Sequence, residues 1–156
     1  MADEVELRAG SVDSPASLRL LAAYEAELVS LGVVLNHGWS GGVTPEQLAP
    51  PIGAWLVGWR GAEAVACGGV RLLSPEVAEV KRMYVDPSAR GGGLARRIVA
   101  ALEAEAAALG ARVVRLDTGR EMAPAVALYR SSGYREVEDY NGNPDAGWWF
   151  EKSLEA

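Results

Sequence analysis

The sequence predicts a single mixed α/β domain, and three observations predict it. Glycine and proline cut the 156 residues into short apolar alternations and longer helical repeats. Three strand-like runs follow one another before the middle of the chain, and the third feeds a glycine turn that opens an Ala-rich helix. A chain of this length buries roughly 68–70% of its unfolded surface, enough for one core without staples. No internal repeat, low-complexity tract or linker divides it, so residues 1–156 are expected to form one domain.

Each element has a local cause. Val5 to Ala9 alternates as a first strand. Ser14 then offers an N-cap oxygen with Pro15 at the first helical position, and Leu18, Leu21, Ala22, Leu28 and Val29 recur at helical spacing until Gly32. Asn36 to Gly42 reads as a loop, after which Thr44-Pro45-Glu46-Gln47 has the form of a capping box opening a short helix that Pro50-Pro51 stops. Ala54 to Trp59 and Ala64 to Leu73 flank a hairpin turn at residues 60–63, and Val77 to Val85 is a third consecutive strand. Gly92 to Leu109 is helical, with Leu94, Ile98, Leu102 and Leu109 on one face and Gly110 as its stop. Arg112 to Thr118 alternates as a buried strand, Ala123 to Ser132 returns to helical spacing, and Tyr134 to Val137 and Gly147 to Leu154 are two closing strands.

Composition excludes several functions. Fifteen Lys and Arg against 21 Asp and Glu give a net charge of −6, the opposite of the basic face a nucleic-acid binder presents. No apolar run reaches the ~18–20 residues of a membrane span, so no membrane partner is expected. A lone cysteine, Cys67, allows no internal disulfide, and the acidic start Met-Ala-Asp-Glu-Val-Glu is unlike a signal peptide, so a cytoplasmic protein is expected. With His37 the only histidine, no metal is expected. A homodimer is compatible with this composition.

The chemistry concentrates between Glu79 and Ala95. Gly91, Gly92 and Gly93 present three amides without side chains at a helix start, where the helix dipole favours an anion, and Arg90 adds a full charge at the same mouth. A dinucleotide fingerprint fails because Arg96 stands where its third glycine belongs, and no Gly-Lys-Ser or Gly-Lys-Thr supplies a P-loop.

The spacing Arg90, Gly93, Ala95 resembles the acetyl-CoA signature of the Gcn5-related N-acetyltransferases, the GNAT family. A second signature, Ala125-Val126-Ala127-Leu128-Tyr129-Arg130-Ser131-Ser132-Gly133-Tyr134, resembles that family's Ala-x-x-Leu-Tyr-x-x-x-Gly-Phe/Tyr, and the order of elements agrees over nearly the whole chain. The resemblance implies the GNAT fold, a mostly antiparallel mixed sheet of six to seven strands splayed in the middle and flanked by about four helices. It implies acetyl-CoA as co-substrate, with the amides of Arg90, Gly91, Gly92, Gly93, Leu94 and Ala95, and Arg96 behind them, at the pyrophosphate. The backbones of Met83 and Val85 would pair with the pantetheine as an added strand, and the amide of Tyr84 or Val85 would meet the oxyanion.

Acetyl transfer to an amine needs a free lone pair, a stabilised oxyanion and a protonated leaving thiolate. Tyr129, with a reference pKa of ~10, is the acid the resemblance implies. Glu79 is expected as base or water-orienter, on the strand face of Met83 and Val85 by the period of two; its alternative is a solvated strand carboxylate. Met122 stands where many relatives carry an Asn that bonds the pantetheine. His37, Trp39 and Trp148 are candidates for the acceptor mouth. The expected activity is N-acetylation of a primary amine of a small molecule in a ternary complex. A protein or peptide Nα- or Nε-acetyltransferase and a non-catalytic acyl-CoA sensor are the rival readings.

Overall fold

The computed structural model describes residues 4–33 and 43–154. Its centre is a seven-stranded sheet in the order β1-β2-β3-β4-β5-β7-β6, from β1 (Glu6–Ala9), β2 (Gly53–Arg60), β3 (Glu63–Ser74), β4 (Val77–Val85), β5 (Val113–Thr118), β6 (Arg135–Glu136) and β7 (Trp148–Ser153). All neighbours are antiparallel except β4 and β5. Three α-helices lie among the described residues, α1 (Pro15–Ser30), α2 (Leu94–Ala108) and α3 (Ala123–Ser131). The segment after Thr44 closes only a 3-10 turn, Pro45–Leu48. No described helix is long and apolar enough to cross a membrane.

Two cores sandwich the sheet. On one face Leu94, Ile98, Val99, Leu102 and Ala106 of α2 pack on Val70, Ala78, Val80, Val114 and Phe150. On the other, Leu20 and Leu21 of α1 pack with Leu48, Trp55, Val57, Cys67 and Tyr84. Gly69 is required there, because a Cβ would stand 2.6 Å from the ring of Trp55. The inward face of α1 differs from the expected one. Ala16, Ser17, Leu20, Leu21 and Leu28 are buried, while Leu18 and Val29 are exposed. A serine sets this phase: Ser17 Oγ accepts from the indole Nε1 of buried Trp55 at 2.9 Å, so the face turns toward a polar partner.

Two features of β4 shape the site. Its pairing with β5 runs only from Val77–Glu79 to Val113–Arg115, after which the strands part while β5 continues along β7. Along β3, Gly69 stands opposite Lys81 and Cys67 opposite Tyr84, so β4 spends three steps where β3 spends two. The extra residue is Arg82, at φ +57°, a bulge that re-aims every side chain beyond it.

Candidate functional site

The turn after β4 is built to leave amides open. Asp86 starts it by accepting from the Ser88 amide at 3.0 Å, and Gly91 (φ +93°) and Gly93 (φ +81°) take left-handed conformations before α2 begins at Leu94. A Cβ on Gly91, Gly92 or Gly93 would meet nothing within 4 Å, so free space lies over amides that have no intrahelical acceptor. That is the shape an anion needs at a helix start.

Beside the turn runs a cavity of about 600 Å³. Tyr24, Glu27 and Ser30 of α1 with Leu31 just after it form one wall, Met122, Pro124, Ala125 and Leu128 the other, and Met83, Tyr84, Val85, Arg90, Gly91, Gly93, Leu94, Ala95 and Arg96 the floor and mouth. The expected cofactor residues are thus brought together, with Gly92 in the same turn. Met83 and Val85 lie in the stretch of β4 that β5 has left, where the Val85 carbonyl accepts from Arg90. The wall residues of α1 carried no sequence signal beyond their helical spacing.

Two arginines at that mouth also make side-chain contacts of their own. Arg90 Nε donates to Val85 O at 2.9 Å, and its Nη2 pairs with Glu27 at 2.7 Å. Its charge is matched by Glu27, and it ties α1 to the end of β4. Arg96 donates to Ser131 Oγ at 2.8 Å and clasps α2 to the end of α3.

Tyr129 is 6% exposed, edge-on to Tyr134 and tilted against Phe150. Its hydroxyl makes no hydrogen bond among the described residues. Burial, then the nearby Tyr24 and the Asp117 carboxylate, push its pKa well above the usual phenol value, so it keeps its proton at neutral pH.

Glu79 corrects an expectation. The bulge at Arg82 breaks the period of two, so Glu79 faces away from the core that Ala78, Val80, Met83 and Val85 share. It is also far from solvated: at 0% exposure it is the hub of an ion-pair network. Arg71 grips Oε1 through Nε at 3.1 Å and Nη2 at 2.9 Å. Oε2 accepts from the Tyr140 hydroxyl at 2.6 Å and Asn141 Nδ2 at 3.1 Å, with Lys81 Nζ at 3.6 Å. Gln47 Oε1 accepts from both the Thr44 amide and Arg71. The network binds the 3-10 turn, β3, β4 and the loop before β7 into one unit. Burial and the Glu79 carboxylate in turn push the Tyr140 phenol up.

Trp148 is also placed differently. It shares the face of Phe150, packs on the main core, and its ring lies 5.7 Å from the Arg130 guanidinium. The period of two puts Trp149 on the opposite face, where its indole donates to Asn141 Oδ1 at 2.9 Å. His37 and Trp39 lie outside the described residues. Met122 caps α3 at the cavity wall without a side-chain cap bond. Among the described residues no cluster of His, Cys, Asp or Glu could hold a metal.

Comparison with known proteins gives a consistent picture. Residues 17–134 match the family model described as "Acetyltransferase (GNAT) family". An IAA acetyltransferase of Azospirillum brasilense is 39% identical over 58% of this chain, and the chain spans only 60% of that relative's length. A Klebsiella pneumoniae structure assigned as an acyl-CoA N-acyltransferase superposes with a TM-score of 0.77 at 28% identity, covering 98% of this chain and 99% of that one. A GNAT acetyltransferase of Elizabethkingia anophelis with acetyl-CoA bound shares the fold, at a TM-score of 0.69 and 14% identity over 97% of this chain and 99% of that one.

Proposed function

The chain belongs to the GNAT family of acetyl-CoA-dependent N-acetyltransferases, and from that premise we propose that it moves an acetyl group to a primary amine of a small molecule, by direct transfer in a ternary complex, within one domain and in the cytoplasm. The observation that carries the reading is the cavity where β4 parts from β5, lined by open glycine amides and by the stretch of β4 at Met83 and Val85 that β5 has left. When bound, acetyl-CoA supplies the activated acyl group and the thiol leaving group.

The chain's residues divide the remaining work. The amides from Gly91 to Ala95 hold the pyrophosphate, and the backbones of Met83 and Val85 orient the pantetheine as an added strand. The amide of Tyr84 or Val85 takes the developing oxyanion. Tyr129 keeps a proton at its hydroxyl for the leaving thiolate, its phenol bonded to no acceptor among the described residues. Glu79 acts as a positioning residue that fixes the loop from residue 138 to 147 against the sheet. That fixed loop favours a small acceptor, since a peptide would need the same side open as a groove.

An acetyl-CoA-consumption screen over amines, amino acids, aminoglycosides and peptides tests the reading. CoA release with a small amine is expected. Release with peptides alone selects the peptide acetyltransferase, and silence across every amine selects the sensor.

A further inference from the structure

Tyr24 lines the cofactor cavity from α1, beside Met83, Tyr84 and Val85, and has no part in the chemistry assigned to Tyr129. Its ring is stacked on that of Tyr84, with centroids 5.2 Å apart and planes 18° from each other. One turn further along α1, Glu27 pairs with Arg90, whose guanidinium lies 5.8 Å from the same Tyr84 ring. Two contacts on one face thus pin the helix to the end of β4. A stacked phenol on a pinned helix is preorganised, which is what a hydrogen-bond donor in catalysis requires.

Tyr24 and Tyr129 reach the cavity from opposite faces of the sheet. Tyr24 packs on the core that holds Trp55, Cys67 and Tyr84, whereas Tyr129 belongs to the core that holds Phe150. Paired strands keep those cores apart. Beyond Glu79 and Arg115 the pairing of β4 with β5 ends, and the two phenols influence each other across the gap. After burial, the causes that raise Tyr129 are Tyr24 and then Asp117; those that raise Tyr24 are Cys67, Asp117 and Glu27. Both hydroxyls therefore keep their protons at neutral pH and remain donors.

A pantetheine arm laid along Met83 and Val85 runs through this gap with one phenol on either side. Its thioester has two atoms that gain charge during transfer, the sulfur and the carbonyl oxygen. Tyr129 serves the sulfur. We propose that the Tyr24 hydroxyl donates a hydrogen bond to the thioester carbonyl oxygen and, with the β4 amide, holds the oxyanion that develops there, which makes Tyr24 a second catalytic phenol. The inference rests on the acetyltransferase reading above. Tyr24 gives up no proton. The electron pair pushed onto the carbonyl oxygen as the N–C bond forms returns when the C–S bond breaks, and the sulfur takes the Tyr129 proton. The proton that the nitrogen sheds replaces it.

The test is infrared difference spectroscopy of the full chain with acetyl-CoA isotope-labelled at the acetyl carbonyl, alongside calorimetry of acetyl-CoA binding. Two donors weaken the C=O bond, so the band of the bound carbonyl should lie below that of acetyl-CoA free in water. Tyr24→Phe keeps the stacked ring and loses the donor, so the band should return toward the free position while acetyl-CoA affinity is unchanged. Tyr129→Phe should leave the band in place. Because the oxyanion forms whatever the nucleophile, hydrolysis of bound acetyl-CoA by water should also slow at least about tenfold in Tyr24→Phe. A band that stays put in Tyr24→Phe, a band that moves equally in Tyr129→Phe, or hydrolysis that is not slowed overturns the inference and leaves the acetyltransferase reading standing. A native chain that binds no acetyl-CoA overturns both. Should Tyr24→Phe not fold, the native band decides, and a position at or above that of free acetyl-CoA refutes the inference.

Discussion

Replacing Glu79 with glutamine is the substitution that most sharply separates a structural hub from a solvated base. The side chain keeps its shape but loses the charge that Arg71 approaches at 2.9 Å and Lys81 at 3.6 Å. It also turns one acceptor oxygen into a donor, facing either the Arg71 fork or the Tyr140 hydroxyl and Asn141 amide. Arg71 and Lys81 are only 15% and 13% exposed, so water replaces the lost partner poorly. Breaking a buried pair in this way costs about 3–5 kcal/mol. At about 2–4 °C per kcal/mol for a chain of this size, Glu79→Gln should melt about 6–20 °C lower by circular dichroism. Cleavage within residues 138–147 should rise, because Tyr140 and Asn141 lose their anchor. Acetyl-CoA affinity should hold, since Glu79 faces away from Met83 and Val85. A melting shift below about 2 °C would show that the network contributes little and would refute the reasoning.

Other outcomes follow from the same geometry. Tyr129→Phe should lower kcat by about 10²-fold, roughly 2.7 kcal/mol of transition-state stabilisation, with acetyl-CoA affinity unchanged; unaltered turnover removes Tyr129 from the chemistry. Gly93→Asp places a charged side chain on a residue at φ +81°, over the amides, and calorimetry should detect no acetyl-CoA binding. Burial pushes the Cys67 thiol from 9.0 to about 12 and the Tyr24 phenol from 10.0 to about 12. The folded chain therefore retains protons that the unfolded chain gives up. Their stabilisation is complete below about pH 9 and is lost as the pH rises through 12, so the melting temperature should fall across that window. Cys67→Ala should flatten part of that fall, and a thiol reagent at pH 8 should label native Cys67 only after unfolding.

Much of the fold was legible because local signals and long-range packing agree. Proline and glycine punctuation bounds β4 at Val77 and Val85, and Leu94, Ile98 and Leu102 mark the face of α2 that enters the core. The glycine turn was equally plain, since positive φ at Gly91 and Gly93 is what glycine permits. The bulge was hidden because its left-handed residue is an arginine, and an unmarked one-residue slip sent Glu79 to the wrong face. Partners remote in sequence were hidden as well. Tyr140 and Asn141 reach Glu79 across 61 and 62 residues, and no periodicity registers such contacts. The role of Ser17 beneath Trp55 was lost for the same reason, and with it the phase of α1.

Amide hydrogen exchange with and without acetyl-CoA tests the central claim most directly, because it reads the backbone groups assigned to the cofactor. Protection should appear at Met83 to Val85 and from Gly91 to Ala95, with β1 unchanged at the far edge of the sheet. Acetyl-CoA binding that leaves both of those segments unprotected would contradict the account.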